Sequence, residues 1–246
     1  MKRLTIGIIG FGRFGQILTK HLLKHLPQIK VLVSSSQKNL KLPSGAKQVS
    51  LETTAQCPVV IPCVPISVFE SVIKKIKSHL KPNSLVIDVC SVKTHPVKVM
   101  KKHLPENVNI LATHPMWGPD SAKYDLKGLT TVLCPIHLPK SHLTTIKKGL
   151  EKLGQNVLVM SPKKHDQLLA RSQIITHLFG RINQKLNIKS TPIDTQGFKQ
   201  LLKIQTFVTN DTWQLFLDMF LFNPHAQKTL KQVKQALDQI DKQINL

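Results

Sequence analysis

The sequence predicts an α/β protein: a doubly wound, mostly parallel sheet over residues 1–161, followed by an all-helical region over residues 162–246. Three observations predict it. A β-branched run at residues 4–9 leads into the glycines of a G-x-G-x-x-G turn and then into apolar residues at helical spacing. Short apolar runs of buried-strand type then alternate with amphipathic stretches as far as residue 160, the pattern of repeated βα units. Beyond residue 162 the strand signals stop and only helical periodicity continues.

Taken in order, the strand at 4–9 is followed by Gly10, Gly12 and Gly15, and a helix over 16–26 runs until Pro27 stops it. Gly10 permits a tight turn, Gly12 lets the backbone approach a pyrophosphate, and Gly15 lets helix and strand pack closely. A helix N-terminus facing the phosphates completes a Rossmann-like dinucleotide site. The expected cofactor contacts here are Gly10, Gly12, Arg13, Phe14 and Gly15. A second strand at 29–33 should end in the carboxylate that holds an NAD ribose. Instead Ser34, Ser35, Ser36, Gln37 and Lys38 stand there, hydroxyls and a cation that suit a 2′-phosphate. NADP is the expected cofactor, with NAD kept open.

A strand at 59–64 closes with Val64 and Pro65, also expected at the cofactor, and a helix at 67–80 follows. The strand at 85–89 runs into Cys90-Ser91-Val92-Lys93, and the strand at 108–112 into Thr113-His114-Pro115-Met116-Trp117-Gly118-Pro119. Strands at 130–134 and 156–160 flank a lysine-rich helix at 141–153. In such a sheet ligands bind beyond the carboxyl ends of the strands, so these segments converge on one edge.

His114 is the foremost candidate for chemistry, because an imidazole at that edge can accept a proton near neutral pH. Ser91 could orient it or the substrate hydroxyl, and Lys93 could bind a carboxylate or support the loop. The helical part is expected to hold helices over 164–186, 197–207 and 212–244, the last broken at Asn223-Pro224. Asp166, Ala170, Gln173, His177 and Arg181 then fall on one helix face, with Arg181 placed to capture a carboxylate. Phe216, Met219, Phe220 and Phe222 suit a buried helix or a dimer interface.

Composition narrows the partners. The chain has 246 residues, with 35 Lys+Arg against 13 Asp+Glu and a net charge of +22. Such a field attracts polyanions, yet the lysines are spread over nearly every helix and aromatic residues are only 5%, leaving few stacking platforms. An anionic cofactor and substrate are expected, and no specific nucleic acid. No segment approaches the apolar length of a membrane span, so no membrane partner is expected. Met-Lys-Arg with the following apolar run breaks at Gly7 and Gly10 and reads as a strand rather than a secretory signal. Cys57, Cys63, Cys90 and Cys134 lack metal-ligand spacing; they read as reduced thiols of a cytoplasmic protein without a metal site.

These segments together resemble the prephenate/arogenate dehydrogenase family of tyrosine biosynthesis. The resemblance rests on Gly-Phe-Gly-Arg-Phe-Gly (10–15), Asp-Val-Cys-Ser-Val-Lys (88–93), Thr-His-Pro-Met-Trp-Gly-Pro-Asp-Ser (113–121), His-Asp (165–166) and Ser-Gln-Ile-Ile-Thr-His-Leu-Phe-Gly-Arg (172–181). It implies a Rossmann-like domain, a helical domain that forms a homodimer, and oxidative decarboxylation of a cyclohexadienyl substrate. It implies further that His114 assists deprotonation of the ring hydroxyl, that Ser91 supports His114, and that His177 lies near the substrate. Gln173, Arg181 and Lys203 complete the expected substrate side. A cation at Lys203 suits prephenate, whereas the His114 loop and the segment around Arg181 look closest to arogenate enzymes; both substrates stay open. Two other readings are an NADP-dependent enzyme of the wider Rossmann-plus-helical group acting on another small acid, and a basic nucleic-acid-binding protein on a dinucleotide fold.

Overall fold

The computed structural model describes residues 3–245, and the chain divides into two compact units, Met1–Pro162 and Lys163–Leu246. In the first, β1 (Thr5–Ile9), α1 (Arg13–His25), β2 (Lys30–Ser34), β3 (Ala46–Gln48), α2 (Leu51–Ala55), β4 (Val59–Pro62), α3 (Ile66–Ile76), β5 (Leu85–Asp88), α4 (Thr94–His103), β6 (Asn109–Pro115), β7 (Thr130–His137), α5 (Lys140–Lys152) and β8 (Asn156–Val159) follow one another. They build one eight-stranded sheet in the order β3-β2-β1-β4-β5-β6-β7-β8. The pairs from β3 across to β6 are parallel; β7 runs antiparallel to β6, and β8 parallel to β7. The carboxyl ends of β1, β2, β4, β5 and β6 therefore share one edge, as the alternation of strands and helices requires.

The β-branched runs are the core. Ile6, Ile8, Val31, Val33 and Ile61 pack as one buried cluster, and Leu85, Leu111 and Leu133 form another beneath Leu143, Ile146 and Leu150 of α5. Central parallel strands are covered on both faces, which is why they read as continuous apolar runs rather than alternations. β3, α2 and α4 are additions to the sequence reading. The first two are too short to show a period, and α4 carries three basic residues in its last turn that mask its apolar face.

The second unit holds α6 (Pro162–Ala170), α7 (Gln173–Lys185), α8 (Gln196–Thr209), α9 (Trp213–Phe222) and α10 (Ala226–Ile244). The helix expected over 164–186 is two helices. Arg171 and Ser172 N–H groups reach only the i−3 carbonyls of Leu168 and Leu169, a tightening that ends α6. Thr195 and Thr212 side chains cap α8 and α9 by accepting from Phe198 and Leu215 N–H. Ile174, Met219, Phe220 and Ala226 form the core. No helix among the described residues is long and apolar enough to cross a membrane.

α7 and α8 approach closely at Gly180, where an added Cβ would lie 2.3 Å from Val208 Cγ2. Gly149, on the outer face of α5, has nothing within 4 Å. Gly180→Ala should therefore destabilise the protein by about 1–3 kcal/mol through overpacking. Gly149→Ala should stabilise it by about 0.5–1 kcal/mol through helix propensity alone. Denaturant midpoints of the two variants check the opposite signs.

Candidate active site

The edge begins at Gly10. Its φ is +95°, and its N–H donates to the Ser34 carbonyl at 2.8 Å, joining the ends of β1 and β2. A Cβ there would sit 2.4 Å from the Cys63 carbonyl oxygen and 3.0 Å from Val64, so β4 closes on the turn from the other side. Only glycine fits both constraints. Gly12 is the N-cap of α1 without a side-chain cap, no acid occupies the first turn, and a Cβ on Gly12 would meet nothing within 4 Å. Open space in front of uncapped N–H groups fits the pyrophosphate of a dinucleotide.

The remaining expected cofactor residues divide. Ser34 is buried at the end of β2, and its hydroxyl has no protein partner. Ser35 Oγ accepts from Gln37 N–H at 3.1 Å, while Ser36 and Lys38 are exposed. Pro65 precedes α3 as its N-cap. Arg13 lies in the first turn of α1, paired with Asp120. Phe14 differs from expectation: its ring packs on Trp117 at 5.6 Å in an apolar cluster with Ile17 and Leu126.

His114 lies inside β6, not in the loop after it. The antiparallel ladder with β7 continues through His114↔Val132 and Pro115↔Thr131, so the strand outlasts its apolar run, and His114 is 3% exposed. The residue before it is held from β5. Thr113 Oγ1 donates to the Asp88 carbonyl at 2.7 Å, and the Thr113 carbonyl accepts from Lys93 Nζ. Lys93 is fully buried and paired with the equally buried Asp88 carboxylate, whose other oxygen accepts from Cys90 N–H at 2.7 Å. Burial pushes the Asp88 carboxyl up, opposed first by the Lys93 charge. Of the two roles expected for Lys93, the geometry realises loop support; an ammonium enclosed this way does not reach a substrate carboxylate. Ser91 sits half-buried in the turn so held.

In the helical unit the expected five-residue stripe is split: Asp166 and Ala170 belong to α6, and Gln173, His177 and Arg181 to α7. Asp166 accepts from His165 Nδ1 at 2.9 Å, both side chains buried, and its carbonyl accepts from Asn223 at 3.0 Å. His177 is buried, with Nε2 3.9 Å from Asp211 Oδ2 and Nδ1 without a protein partner. Burial, then the neighbouring Arg181 charge, brings its pKa down to about 4. Arg181 Nη1 donates to Gln184 at 3.0 Å, Nη2 donates to the Asp211 carbonyl at 2.6 Å, and the guanidinium stacks on Trp213 at 5.1 Å. Bidentate capture of a carboxylate would have to displace one of these groups, so Arg181 is first a tie between α7 and the start of α9. It lines an open cleft of about 450 Å³ with Gln184, Lys185 and Trp213. Gln173 Oε1 is buried without a protein partner, and Lys203 is exposed on α8.

The family described as "Prephenate dehydrogenase, nucleotide-binding domain" matches residues 29–159, and "TYRAAT1-like, C-terminal domain" matches residues 182–245. The chain is 33% identical to "Arogenate dehydrogenase 2, chloroplastic" of Arabidopsis thaliana, over 98% of its own length and 70% of that protein's. The chain belongs to the prephenate/arogenate dehydrogenase family. "Arogenate dehydrogenase 1, chloroplastic" of the same plant is 34% identical, with 98% of this chain spanning 39% of that longer relative. The crystal structure of prephenate dehydrogenase from A. aeolicus in complex with hydroxyphenyl propionate and NAD+ superposes with a TM-score of 0.77. It shares 22% identity and covers 99% of this chain and 91% of that one, which establishes the shared dehydrogenase fold.

Asp88 and Asp120 stand in the quoted segments without a role assigned from sequence, and Asp211 and Trp213 stand outside them. Asp88 alone carried a signal, as an acid ending an otherwise apolar strand. Lys93→Met and Asp88→Asn should each destabilise by about 3–5 kcal/mol, since each strands a buried charge or polar group. The double variant Lys93→Met/Asp88→Leu should lose less than either single change, as denaturant unfolding will read. For His177, the folded pKa of about 4 lies below the unfolded 6.5, so the unfolded chain binds more protons in that window. Its contribution is complete above pH 6.5 and is lost as pH falls toward 4, by up to about 3 kcal/mol. His177→Asn should flatten the pH dependence of the melting temperature there.

Proposed function

We propose that the protein oxidatively decarboxylates arogenate or prephenate with a nicotinamide dinucleotide, and that NADP and arogenate are the preferred pair. The observation that carries this reading is the single edge shared by the Gly10 turn, Ser34, Ser91 and His114, at the ends of parallel strands. The likeness to plant proteins named arogenate dehydrogenase supports arogenate. The Ser34 hydroxyl and the Lys38 cation, with no carboxylate at the end of β2, support NADP.

The dinucleotide, when bound, supplies the hydride acceptor. Gly12 and the first turn of α1 would hold its pyrophosphate, and Ser34, Ser35, Ser36 and Lys38 would bind its ribose end. His114 takes the proton of the ring 4-hydroxyl, and Ser91 orients that hydroxyl from the neighbouring strand end. The ring carbon gives up hydride, the ring carboxylate leaves as CO2 with its bonding pair staying in the ring, and the proton held by His114 returns to the phenolate oxygen as the ring aromatises. The buried Lys93–Asp88 pair holds the two strand ends so that neither side chain drifts from the reacting hydroxyl. Two copies pair through the helical unit, a reading supported by Leu237, Ile240 and Ile244, exposed at three- and four-residue spacing on α10. The four free thiols suit a reducing compartment such as the cytoplasm.

An absorbance assay of arogenate and prephenate, each with NADP and NAD, tests the proposal. Turnover should be fastest with arogenate and NADP, and no turnover with any pair would end it. His114→Asn should lower kcat by about 10²–10⁴-fold, the usual worth of a general base, with dinucleotide binding retained.

A further inference from the structure

The segment that follows His114 is fastened along the cofactor helix. Arg13, Ile17, His21 and Lys24 step by four, four and three residues, so they share one face of α1. Each meets residues 117–126. Arg13 Nη2 lies 3.0 Å from both Asp120 carboxylate oxygens. Ile17 packs with Trp117, Ala122 and Leu126. His21 Nε2 donates to the Ala122 carbonyl at 2.8 Å, and Lys24 Nζ to the Tyr124 carbonyl at 3.2 Å. Trp117 anchors the other side, its Nε1 donating to Thr131 at 3.1 Å and Gln155 at 3.3 Å.

The Arg13–Asp120 pair is half-exposed, and such pairs contribute only about 0–1 kcal/mol to stability. Its location is what distinguishes it, because it sits at the anion-facing first turn of α1. We propose that Asp120 is a positioning residue that orients Arg13 toward the dinucleotide pyrophosphate. The strap thereby couples occupancy of that site to the strand carrying His114. The inference rests on the dinucleotide reading above. Arg13 also neutralises Asp120, which would otherwise present a bare carboxylate beside an anion. Removing Arg13 should therefore harm binding more than removing Asp120, and removing both should harm it less than the sum.

Equilibrium titrations with NADP and with adenosine 2′-monophosphate, which lacks the pyrophosphate, test this. Trp117 emission in a Trp213→Phe background serves as the readout, these being the two tryptophans of the chain. In Asp120→Ala and Asp120→Asn the NADP Kd should rise about fivefold, and in Arg13→Ala about tenfold or more, with non-additivity in the double variant. The Kd for adenosine 2′-monophosphate should stay within about twofold in the Asp120 variants, and the NADP-induced change in Trp117 emission should shrink. Equal loss for both ligands, additive effects, or an undiminished emission change would overturn the proposal. A wild-type protein that binds neither NADP nor NAD would instead overturn the dinucleotide reading itself. Matching thermal melts of the variants separate these results from unfolding.

Discussion

The carboxyl edge of the sheet depends on one buried charge pair. Lys93 and Asp88 have no side-chain exposure, and each satisfies more than its partner: Asp88 also takes the Cys90 N–H, and Lys93 also donates to the Thr113 carbonyl. A buried ion pair is a poor source of net stability, because desolvation consumes most of its attraction. Its strength is geometric. It ties together the end of β5, the turn carrying Ser91 and the stretch of β6 that carries His114. An apolar plug of equal volume would tolerate slippage between those strands; charges in a low dielectric do not.

That constraint ties the turn carrying Ser91 to the stretch of β6 carrying His114. His114 is fixed from one side by β5 through Thr113, and from the other by the antiparallel ladder with β7. The Gly10 end of the same edge is fixed by close approach instead of charge. At Gly10 the backbone of β4 comes so near that a single methyl would collide with it. Charge thus positions the His114 end of the edge, and steric fit positions the Gly10 end.

The βα alternation, the glycine turn and the strand-end residues were legible in the sequence because each depends on local pattern: period, β-branching, and the one residue type that tolerates φ near +95°. The strand carrying His114 ends three residues later than its apolar run indicates, for a reason of the same kind. The strand is extended by pairing with β7, a partner distant in sequence, while its own apolar run ends at Ala112. The break between α6 and α7 was likewise invisible, since Arg171 and Ser172 carry no stop signal and only the tightened hydrogen bonds reveal it. Lys93 and Arg181 show the remaining difficulty. A cation in a motif reads as a ligand for an anion, and only tertiary structure reveals that Asp88 or the Asp211 carbonyl already holds it.

The basic balance of the chain takes on a different meaning once the acids are located. Asp88 holds Lys93, Asp120 holds Arg13, and Asp166 holds His165. Glu70 bridges Lys74 and His103, which bring its carboxyl down to about 2. Asp218 accepts from Gln214, and Asp194 ties Ser190 and Thr191. Carboxylates are scarce in this chain, and these are fastened to its own cations, imidazoles, amides and hydroxyls, some in the core and some at the surface. The net charge of +22 sets a positive field around the chain, of the kind that draws small anions.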